Sequence, residues 1–312
     1  MSRLAILIPS FNDWDALRLL LPRIDRALAG RRASVLIVDD ASTEAAPEEW
    51  SACDAIDSVE ILHLRCNLGH QRAIALGLYH VHEFTDATAV IVMDGDGEDR
   101  AEDLPVLIEE FERGAGREVI FAARAKRMES LFFQAFYRMY QLIHRVLTGI
   151  EVRVGNFSIM PRTSLARIIA SPDLWNHYAA AVYRAKISRR LIPLARGRRL
   201  TGRSKMNFVS LLMHGLSAIS VFSDQVSARI LTASAMFSVV ALGIAASGRD
   251  TALLIVLMVQ VLTFAILFAF LVARSRSSAA FILQREAPYF ILAKTVVRAA
   301  QRVEARQQVE TR

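Results

Sequence analysis

Val90 to Asp99 reads Val-Ile-Val-Met-Asp-Gly-Asp-Gly-Glu-Asp, an apolar run that ends in four acids interrupted by two glycines. The apolar part is short, β-branched and bounded by turn residues, which favours a buried strand of a parallel sheet. In an open α/β sheet, ligands bind where the strands end. Carboxylates gathered there repel one another unless a cation lies among them, so Asp94 and Asp96 predict a divalent metal site. Taken alone, the stretch also fits a solvated turn.

Strand-like and helix-like segments alternate on both sides of this stretch. Strands are predicted at 4–9, 35–38, 59–64 and 119–123, and helices at 14–30, from 67 onward and at 103–113, with Ser10 to Asp13 capping the first helix. This alternation predicts an α/β fold whose mostly parallel sheet has helices on both faces. Pro9, Asp39 and Asp94 then end three strands at one rim, as in nucleotide-binding folds. The sequence lacks GxGxxG and GxxxxGK[ST], which disfavours nicotinamide enzymes and P-loop NTPases.

The composition predicts that part of the chain lies in a membrane. Hydrophobic residues make up 53% of the 312 residues, and residues 230–248 and 251–273 are uncharged and long enough to span a bilayer. Arginines flank this pair at 229, 274 and 276, which places both outer ends in the cytoplasm. We therefore expect an integral protein of the cytoplasmic (inner) membrane with no export signal. A buried hairpin of a soluble protein is the alternative.

Four regions are expected along the chain. Residues 1–204 form a cytoplasmic catalytic domain, 205–229 an interfacial amphipathic helix region, 230–273 the transmembrane hairpin, and 274–312 a cytoplasmic interfacial helix with a frayed, polar tail. Small residues recur in the first span at Ser234, Ser238, Ala241 and Ala245. They allow close helix packing within or between protomers, and so a homo-oligomer.

Basic residues are concentrated before the hairpin. The formal net charge is +7, and nine Lys or Arg and no acid lie between Arg184 and Lys205. Such a run could bind nucleic acid, an anionic membrane or a phosphorylated substrate. Its position favours lipid phosphates, and the absence of a nucleic-acid-binding signature predicts no nucleic-acid partner. Cys53 and Cys66 have neither metal-site nor disulfide spacing.

Six stretches occur in a fixed order. They are Ile-Pro-Ser-Phe-Asn-Asp (8–13), Val-Asp-Asp-Ala-Ser (38–42), Arg-Cys-Asn-Leu-Gly-His-Gln (65–71), Met-Asp-Gly-Asp-Gly-Glu-Asp (93–99), Gly-Asn-Phe (155–157) and Arg-Leu-Thr-Gly-Arg-Ser-Lys (199–205). Their residues and order resemble family 2 glycosyltransferases, above all the polyprenyl-phosphate group that includes dolichyl-phosphate mannose synthase and bactoprenol glucosyltransferase. The resemblance implies a nucleotide-sugar-binding GT-A-like fold. It also implies inverting transfer of a sugar from a UDP- or GDP-linked donor to a polyprenyl phosphate of undecaprenyl or dolichyl type.

The resemblance also implies roles for individual residues. The nucleotide-sugar would be bound by Pro9, Phe11, Asn12, Asp13, Asp40, Asp94, Gly95 and Asn156, and the acceptor phosphate by Arg124, Arg138, Arg199, Ser204 and Lys205. Asp94, Asp96 and Glu98 would hold Mg²⁺ or Mn²⁺, and the catalytic roles would fall to Asp96, Arg124 and Lys205. Two positions depart from the group, since Glu98 stands where Gln is usual and Asn156 where Asp is common.

Two other functions fit parts of the sequence. A processive polysaccharide synthase of the same superfamily would usually carry a Gln-x-x-Arg-Trp block, and none of the three tryptophans here follows an arginine. A non-catalytic membrane scaffold could retain a nucleotide-sugar fold only for binding. The phosphate acceptor would itself be an anion near neutral pH, so lipid-phosphate transfer requires no strong general base among the candidate residues.

Overall fold

The computed structural model describes residues 3–28, 30–50, 53–124, 141–150, 154–202, 208–247, 250–275 and 283–299. The chain divides into two units. The sheet unit comprises Met1–Arg127, Arg153–Lys205 and Ile282–Arg312, and the helical unit comprises Met128–Val152 and Met206–Phe281. The segment Met128–Val152, which the sequence placed in the catalytic domain, thus groups with the C-terminal helices.

The sheet unit is built on a mixed sheet whose described strands follow the order β7-β5-β6-β4-β1-β2-β3-β8. In chain order, β1 to β8 are Leu4–Ser10, Ala33–Asp39, Ile56–Leu64, Ala89–Val92, Val119–Arg124, Val154–Pro161, Arg189–Leu194 and Ile291–Ala299. Only β6 and β8, among these strands, run antiparallel to their neighbours. The predicted mostly parallel α/β sheet is confirmed.

Helices α1 to α9 are Trp14–Ala27, His70–Phe84, Leu104–Arg113, Arg162–Ile169, Tyr178–Arg184, Phe208–Ser220, Ser223–Ala246, Asp250–Ser275 and Leu283–Phe290. Helix α1 buries Leu17, Leu20 and Ile24, the apolar face that its sequence predicts. On α2, a Cβ added at Gly77 would lie 2.2 Å from Leu7 Cδ1. Glycine therefore lets α2 approach β1 closely. All residues of β4, the neighbour of β1 in the sheet, are buried.

The helical unit contains α6, α7 and α8. The sequence predicts an interfacial amphipathic helix region over 205–229, but the structure has a turn within it at Val221 and Phe222, which are both buried, between α6 and α7. Among the described residues, two segments are long and apolar enough to cross a membrane: Ser223–Ala246, with mean hydropathy 1.8, and Thr251–Phe268, with mean hydropathy 2.6. Large apolar side chains such as Leu242 and Met258 face outward. These helices are the candidate membrane spans that the sequence predicted.

The C-terminal segment differs in part from the predicted interfacial helix: Leu283–Phe290 is helical, the residues after it form a strand, and the predicted frayed tail lies outside the described residues. After α9, residues Ile291–Ala299 form β8, which pairs antiparallel with β3. Thr295, Val296 and Val297 are β-branched, and the backbone groups at the edge of β3 offer hydrogen-bond partners. Lys294 Nζ also lies 3.3 Å from Glu60 Oε2 on β3. The chain thus leaves the sheet unit before the helical unit and returns to it afterwards.

Candidate active site

The loops that follow β1, β2 and β4 meet at one rim because these strands are parallel neighbours. Pro9 pairs with Val38 in the sheet register, and Met93 N donates to Leu7 O over 3.1 Å. The predicted convergence of the strand ends at Pro9, Asp39 and Asp94 is confirmed. The start of α2 after β3, the start of β6 and the loop after β7 reach the same rim. Six segments distant in sequence therefore contribute to it.

Asn12 fixes the loop after β2 to the loop after β1. Its side-chain Oδ1 accepts from Thr43 N at 2.8 Å and Glu44 N at 3.2 Å, and its Nδ2 donates to Thr43 Oγ1 at 2.8 Å. Its backbone N donates to Ser42 Oγ, and its φ of +50° lies in the left-handed region that Asn tolerates better than most residues. Asn12 therefore shapes the rim, whatever else it binds.

Asp40 is a buried carboxylate at the end of β2. It accepts from Leu68 N at 2.7 Å and from Gly69 N at 2.8 Å, immediately before α2. Burial raises the pKa of Asp40, and the two backbone hydrogen bonds partly offset this by stabilising the charged form. Both oxygens are thus committed to main-chain donors. The carboxylate holds the start of α2 against the end of β2.

The loop after β4 presents its acids to basic side chains instead. Asp94 Oδ1 lies 3.2 Å from His70 Nε2, and Asp94 N donates to Asp99 Oδ2 at 2.8 Å. The pKa of His70 is raised although burial lowers it, because the carboxylates of Asp94, Asp96 and Asp40 favour the imidazolium. Sequence reasoning assigned no role to His70, although it lies in the quoted 65–71 stretch.

Asp96 and Asp13 share one arginine. Arg199 Nη1 lies 3.0 Å from Asp96 Oδ2, and Arg199 Nη2 lies 2.7 Å from Asp13 Oδ1. Asp13 is the N-cap residue of α1, but its side chain makes no capping hydrogen bond, so the predicted cap is wrong in that respect. The structure therefore places Arg199, which was predicted to bind the acceptor phosphate, between two acids that were predicted to serve the nucleotide-sugar and the metal.

Asp94 and Asp96 fit a divalent cation. Burial raises the pKa of Asp96, repulsion from the Asp94 carboxylate raises it further, and Arg199 and Arg196 lower it. The two carboxylates are therefore close enough to repel each other, and both are hard oxygen donors of the kind that Mg²⁺ and Mn²⁺ prefer. Substrate phosphate oxygens commonly complete such a coordination sphere.

Glu98 is placed differently from those two acids. Its carboxylate forms an ion pair with Arg196, and its backbone O accepts from Gly197 N at 2.8 Å. Across the described residues, no group of three or more His, Cys, Asp or Glu side chains is arranged to hold a metal ion. The role of Glu98 as a third ligand stays a prediction.

A chain of polar side chains extends from Asp94 through His70 into the sheet unit. Asn156 Nδ2 lies 2.9 Å from His70 Nε2, and Gln71 Nε2 donates to Asn156 Oδ1 at 3.2 Å. Gln71 Oε1 in turn accepts from Tyr178 N at 2.8 Å. Asn156 thus reaches the site through His70. The chain joins α2, β6 and α5, so the predicted donor residue Asn156 is held by contacts that sequence spacing does not reveal.

The glycines of this loop permit close packing. A Cβ at Gly95 would lie 3.0 Å from Ile8 Cγ2. Gly97 has a φ of +84°, and a Cβ there would lie 2.4 Å from Leu200 Cγ. The loop carrying Arg199 therefore lies directly against the loop carrying the acids.

The predicted acceptor residues are only partly described. Arg124 ends β5, but its side chain lies outside the description, and Arg138, Ser204 and Lys205 lie outside the described residues. Pro9 is buried at the end of β1, and Phe11 is half-buried. Of the predicted acceptor set, only Arg199 has described side-chain contacts. Its grouping with the others stays a prediction.

Much of the basic run between Arg184 and Lys205 is paired inside the sheet unit. Arg184 Nε lies 2.9 Å from Asp173 Oδ2, Arg190 Nη1 lies 3.2 Å from Glu110 Oε2, and Arg196 pairs with Glu98. The sequence favoured lipid phosphates as partners of the run. These three arginines pair with acids of the same unit, and lipid phosphate as the partner of the rest of the run stays a prediction.

Comparison with known sequences identifies relatives of this chain. A sequence model described as Glycosyl transferase family 2 matches residues 5–190. The chain is 28% identical over 233 residues to an undecaprenyl-phosphate 4-deoxy-4-formamido-L-arabinose transferase of Klebsiella pneumoniae (strain 342), covering 68% of this chain and 65% of that protein. It is 24% identical to the uncharacterized glycosyltransferase YkcC of Bacillus subtilis (strain 168), covering 71% of this chain and 68% of that protein. The chain thus spans slightly less than two thirds of the Klebsiella relative.

Solved structures share the fold at low sequence identity. Glucosyl-3-phosphoglycerate synthase from Mycobacterium tuberculosis, in complex with Mn²⁺, UDP-glucose and phosphoglyceric acid, matches with a TM-score of 0.53 at 12% identity, covering 72% of this chain and 80% of that chain. Mannosyl-3-phosphoglycerate synthase from Rubrobacter xylanophilus matches with a TM-score of 0.50 at 13% identity, covering 73% and 75%. The predicted GT-A-like fold is confirmed.

Proposed function

Because this chain belongs to glycosyltransferase family 2, we propose that it transfers a sugar from a nucleoside diphosphate to a polyprenyl phosphate. The observation that carries the proposal is one chain that combines a family 2 sheet unit with two candidate membrane spans. The spans would hold the chain at the membrane, where a lipid-linked acceptor lies. The Klebsiella relative named as an undecaprenyl-phosphate transferase supports the same acceptor class.

The donor is proposed to bind at the rim between the β1, β2 and β4 loops. Pro9, Phe11, Asn12, Asp13, Asp40, Gly95 and Asn156 are the proposed nucleotide-sugar residues, on the family resemblance. Asn12 and Asp40 would act by shaping the pocket, since their side chains hold the loops that border it. UDP and GDP are both candidate nucleotides.

Asp94 and Asp96 are the proposed ligands of Mg²⁺ or Mn²⁺. When bound, the cation would supply positive charge to the diphosphate as the sugar–phosphate bond breaks. His70 would orient the Asp94 carboxylate through its 3.2 Å contact. The Mn²⁺ named with the mycobacterial structure supports a divalent ion. Asp96 also pairs with an arginine, Arg199, but burial and the Asp94 carboxylate raise the pKa of Asp96. Glu98, which is paired with Arg196, stays a third ligand on the family resemblance alone.

The proposed reaction is a single displacement with inversion. An oxygen of the acceptor phosphate forms a bond to the anomeric carbon while the bond from that carbon to the diphosphate breaks, and the electron pair leaves with the nucleoside diphosphate. The acceptor phosphate is already anionic, so the chain supplies position rather than a base. Arg124, Arg138, Ser204 and Lys205 are the proposed phosphate contacts, with Arg124 and Lys205 closest to the reaction.

The proposed location is the cytoplasmic face of the inner membrane. The chain enters the hairpin from the sheet unit and returns to the same unit. Two crossings leave both outer ends on one side, and the arginines at 229, 274 and 276 favour the cytoplasmic side. A homo-oligomer, packed through the small residues of α7, remains part of the proposal.

A panel assay tests the function. The full-length chain, purified in detergent, is incubated with labelled UDP- and GDP-sugars, Mn²⁺ or Mg²⁺ and undecaprenyl phosphate, and the butanol-soluble label is counted. We expect lipid-soluble label from one donor, dependent on undecaprenyl phosphate. Label in a growing water-soluble polymer would indicate the processive synthase instead. If folded, monodisperse protein transfers sugar from none of the donors, the proposal is overturned. The non-catalytic scaffold would then be the remaining interpretation.

A further inference from the structure

Arg199 joins two acids that are far apart in sequence. Its guanidinium contacts Asp96, 103 positions away, and Asp13, 186 positions away, at 3.0 and 2.7 Å. The side chain of Arg199 is 16% exposed, that of Asp96 is 16% exposed and that of Asp13 is 24% exposed. These are shielded contacts in which water screens the charges less than at an open surface.

The guanidinium is fixed in place by further contacts. Its Nε donates to Thr201 O at 3.0 Å, and the backbone N of Leu200 donates to Asp96 O at 2.9 Å. The planar fork of arginine lets one side chain serve both carboxylates, which the compact ammonium of lysine does less well. Arg199 is thus a positioned cation of the β4 loop rather than a solvated surface charge.

These contacts, with one from a backbone amide, occupy both carboxylate oxygens of the proposed metal ligand Asp96. Asp96 Oδ2 accepts from Arg199, and Asp96 Oδ1 accepts from Glu98 N at 2.9 Å. A divalent ion that takes an Asp96 oxygen would meet the guanidinium charge at close range, and the two cations would repel each other. A nucleoside diphosphate carries the anions that relieve this repulsion.

We infer that Arg199 is the resident counter-ion of the donor site, and that it makes binding of the divalent ion depend on the nucleoside diphosphate. The inference rests on the proposed function and extends it to the order of binding. Arg199 neutralises Asp96 and Asp13 without nucleotide, and exchanges Asp96 for the diphosphate when donor and metal bind together. Thermodynamic linkage then requires that each of the two ligands strengthens binding of the other.

The test measures binding of Mn²⁺ without turnover. Electron paramagnetic resonance counts free Mn²⁺ during titration of the full-length purified chain, alone and with UDP or GDP. Wild type should bind Mn²⁺ weakly alone and at least about tenfold more tightly with one nucleotide. Arg199→Gln should bind Mn²⁺ about tenfold more tightly than wild type without nucleotide, and the gain from nucleotide should shrink accordingly.

Two further variants complete the test, one as a control and one as a graded change. Arg190→Gln removes an arginine that pairs with Glu110, outside the candidate donor site, and should leave both Mn²⁺ affinities unchanged. Arg199→Lys keeps the charge but loses the fork, so its affinity without nucleotide should lie between those of wild type and Arg199→Gln. Arg199→Lys also decides the question if the Gln variant does not fold.

The outcomes separate the two proposals. If folded Arg199→Gln or Arg199→Lys binds Mn²⁺ no more tightly than wild type without nucleotide, while wild type still transfers sugar, the counter-ion role is wrong and the function stands. If wild type binds no Mn²⁺ with either nucleotide and transfers no sugar to undecaprenyl phosphate, the proposed function itself fails.

Discussion

The β2 loop (residues 39–44) and the β4 loop (residues 93–99) both end buried parallel strands and both carry paired acids, but their acids have different partners. In the β2 loop, Asp40 accepts from two backbone amides, at 2.7 and 2.8 Å. In the β4 loop, Asp94 Oδ1 and Asp96 Oδ2 face the side chains of His70 and Arg199, and the other oxygen of Asp96 accepts from the backbone N of Glu98. A backbone donor is fixed by the fold, whereas a side-chain donor can rotate away.

This difference gives the two loops different roles at the same rim: the β2 loop stabilises the fold, and the β4 loop carries the proposed reaction. Loss of the Asp40 contacts leaves two amides without acceptors, which costs free energy of folding. Loss of the Arg199 contact exposes a carboxylate to another cation. We therefore expect substitutions in the β2 loop to lower stability and substitutions in the β4 loop to lower activity.

Asp96→Asn should have the largest effect on activity. Removing a proposed metal ligand should lower kcat about 100-fold or more in the panel assay. Because Asp96 also accepts from Arg199 and from Glu98 N, Tm is measured beside kcat, so that a loss of activity is separated from a loss of folding. Glu102→Gln, at an exposed acid outside the candidate site, is the matched control. Unchanged transfer by Asp96→Asn would contradict the metal-dependent mechanism.

Gly97→Ala should lower kcat about tenfold. The added Cβ meets Leu200 and must displace the segment that carries Arg199, in addition to the strain of a φ of +84°. Gly202→Ala is the control, because Gly202 has a φ of +66° but no heavy atom of the described residues lies within 4 Å of an added Cβ. Equal activity of the two variants would show that only backbone strain matters and would remove the role given to loop packing.

Asp40→Asn should lower stability more than catalysis. Asn can accept from one of the two amides but presents its own N–H groups to the other, which should cost about 1–3 kcal/mol and lower Tm by several degrees. The kcat per folded molecule should stay within about threefold of wild type. Asp57→Asn, at an exposed acid paired with Arg32, should leave Tm nearly unchanged. A hundredfold loss of kcat in stable Asp40→Asn would show that this loop also carries chemistry.

Glu98→Gln should have the smallest effect. If Glu98 mainly pairs with Arg196, the Mn²⁺ concentration that gives half-maximal transfer should change less than about threefold. The measurement is a Mn²⁺ titration of the transfer rate beside wild type. A tenfold or larger increase would instead assign Glu98 to the metal, as the sequence predicted.

The strands and the rim could be predicted because local pattern determines them. Val90 to Met93 is apolar and β-branched, and the acids that follow can lie only where the strand ends. The neighbouring strand ends at Pro9 and Asp39 follow from the same alternation. The fold class and the position of the candidate site therefore needed no knowledge of long-range contacts.

The partners of the acids could not be predicted in the same way. Nothing in local sequence shows that Arg199 reaches Asp13 across 186 positions, or that Asn156 meets His70 across 86. The strand Ile291–Ala299 was missed for a similar reason, since its edge partner β3 lies more than two hundred positions earlier. Each depends on how the chain returns to the sheet after an intervening segment.

Mass spectrometry of the lipid product tests the central claim most directly. Wild-type protein is incubated with undecaprenyl phosphate and the donor found in the panel assay. The mass of the extracted lipid then gives the number of added sugars and of phosphorus atoms. Transfer of the sugar alone predicts a product with one added sugar and one phosphorus, together with free nucleoside diphosphate. Two phosphorus atoms would mean transfer of a sugar phosphate, and either that result or a lipid with no added sugar would contradict the account.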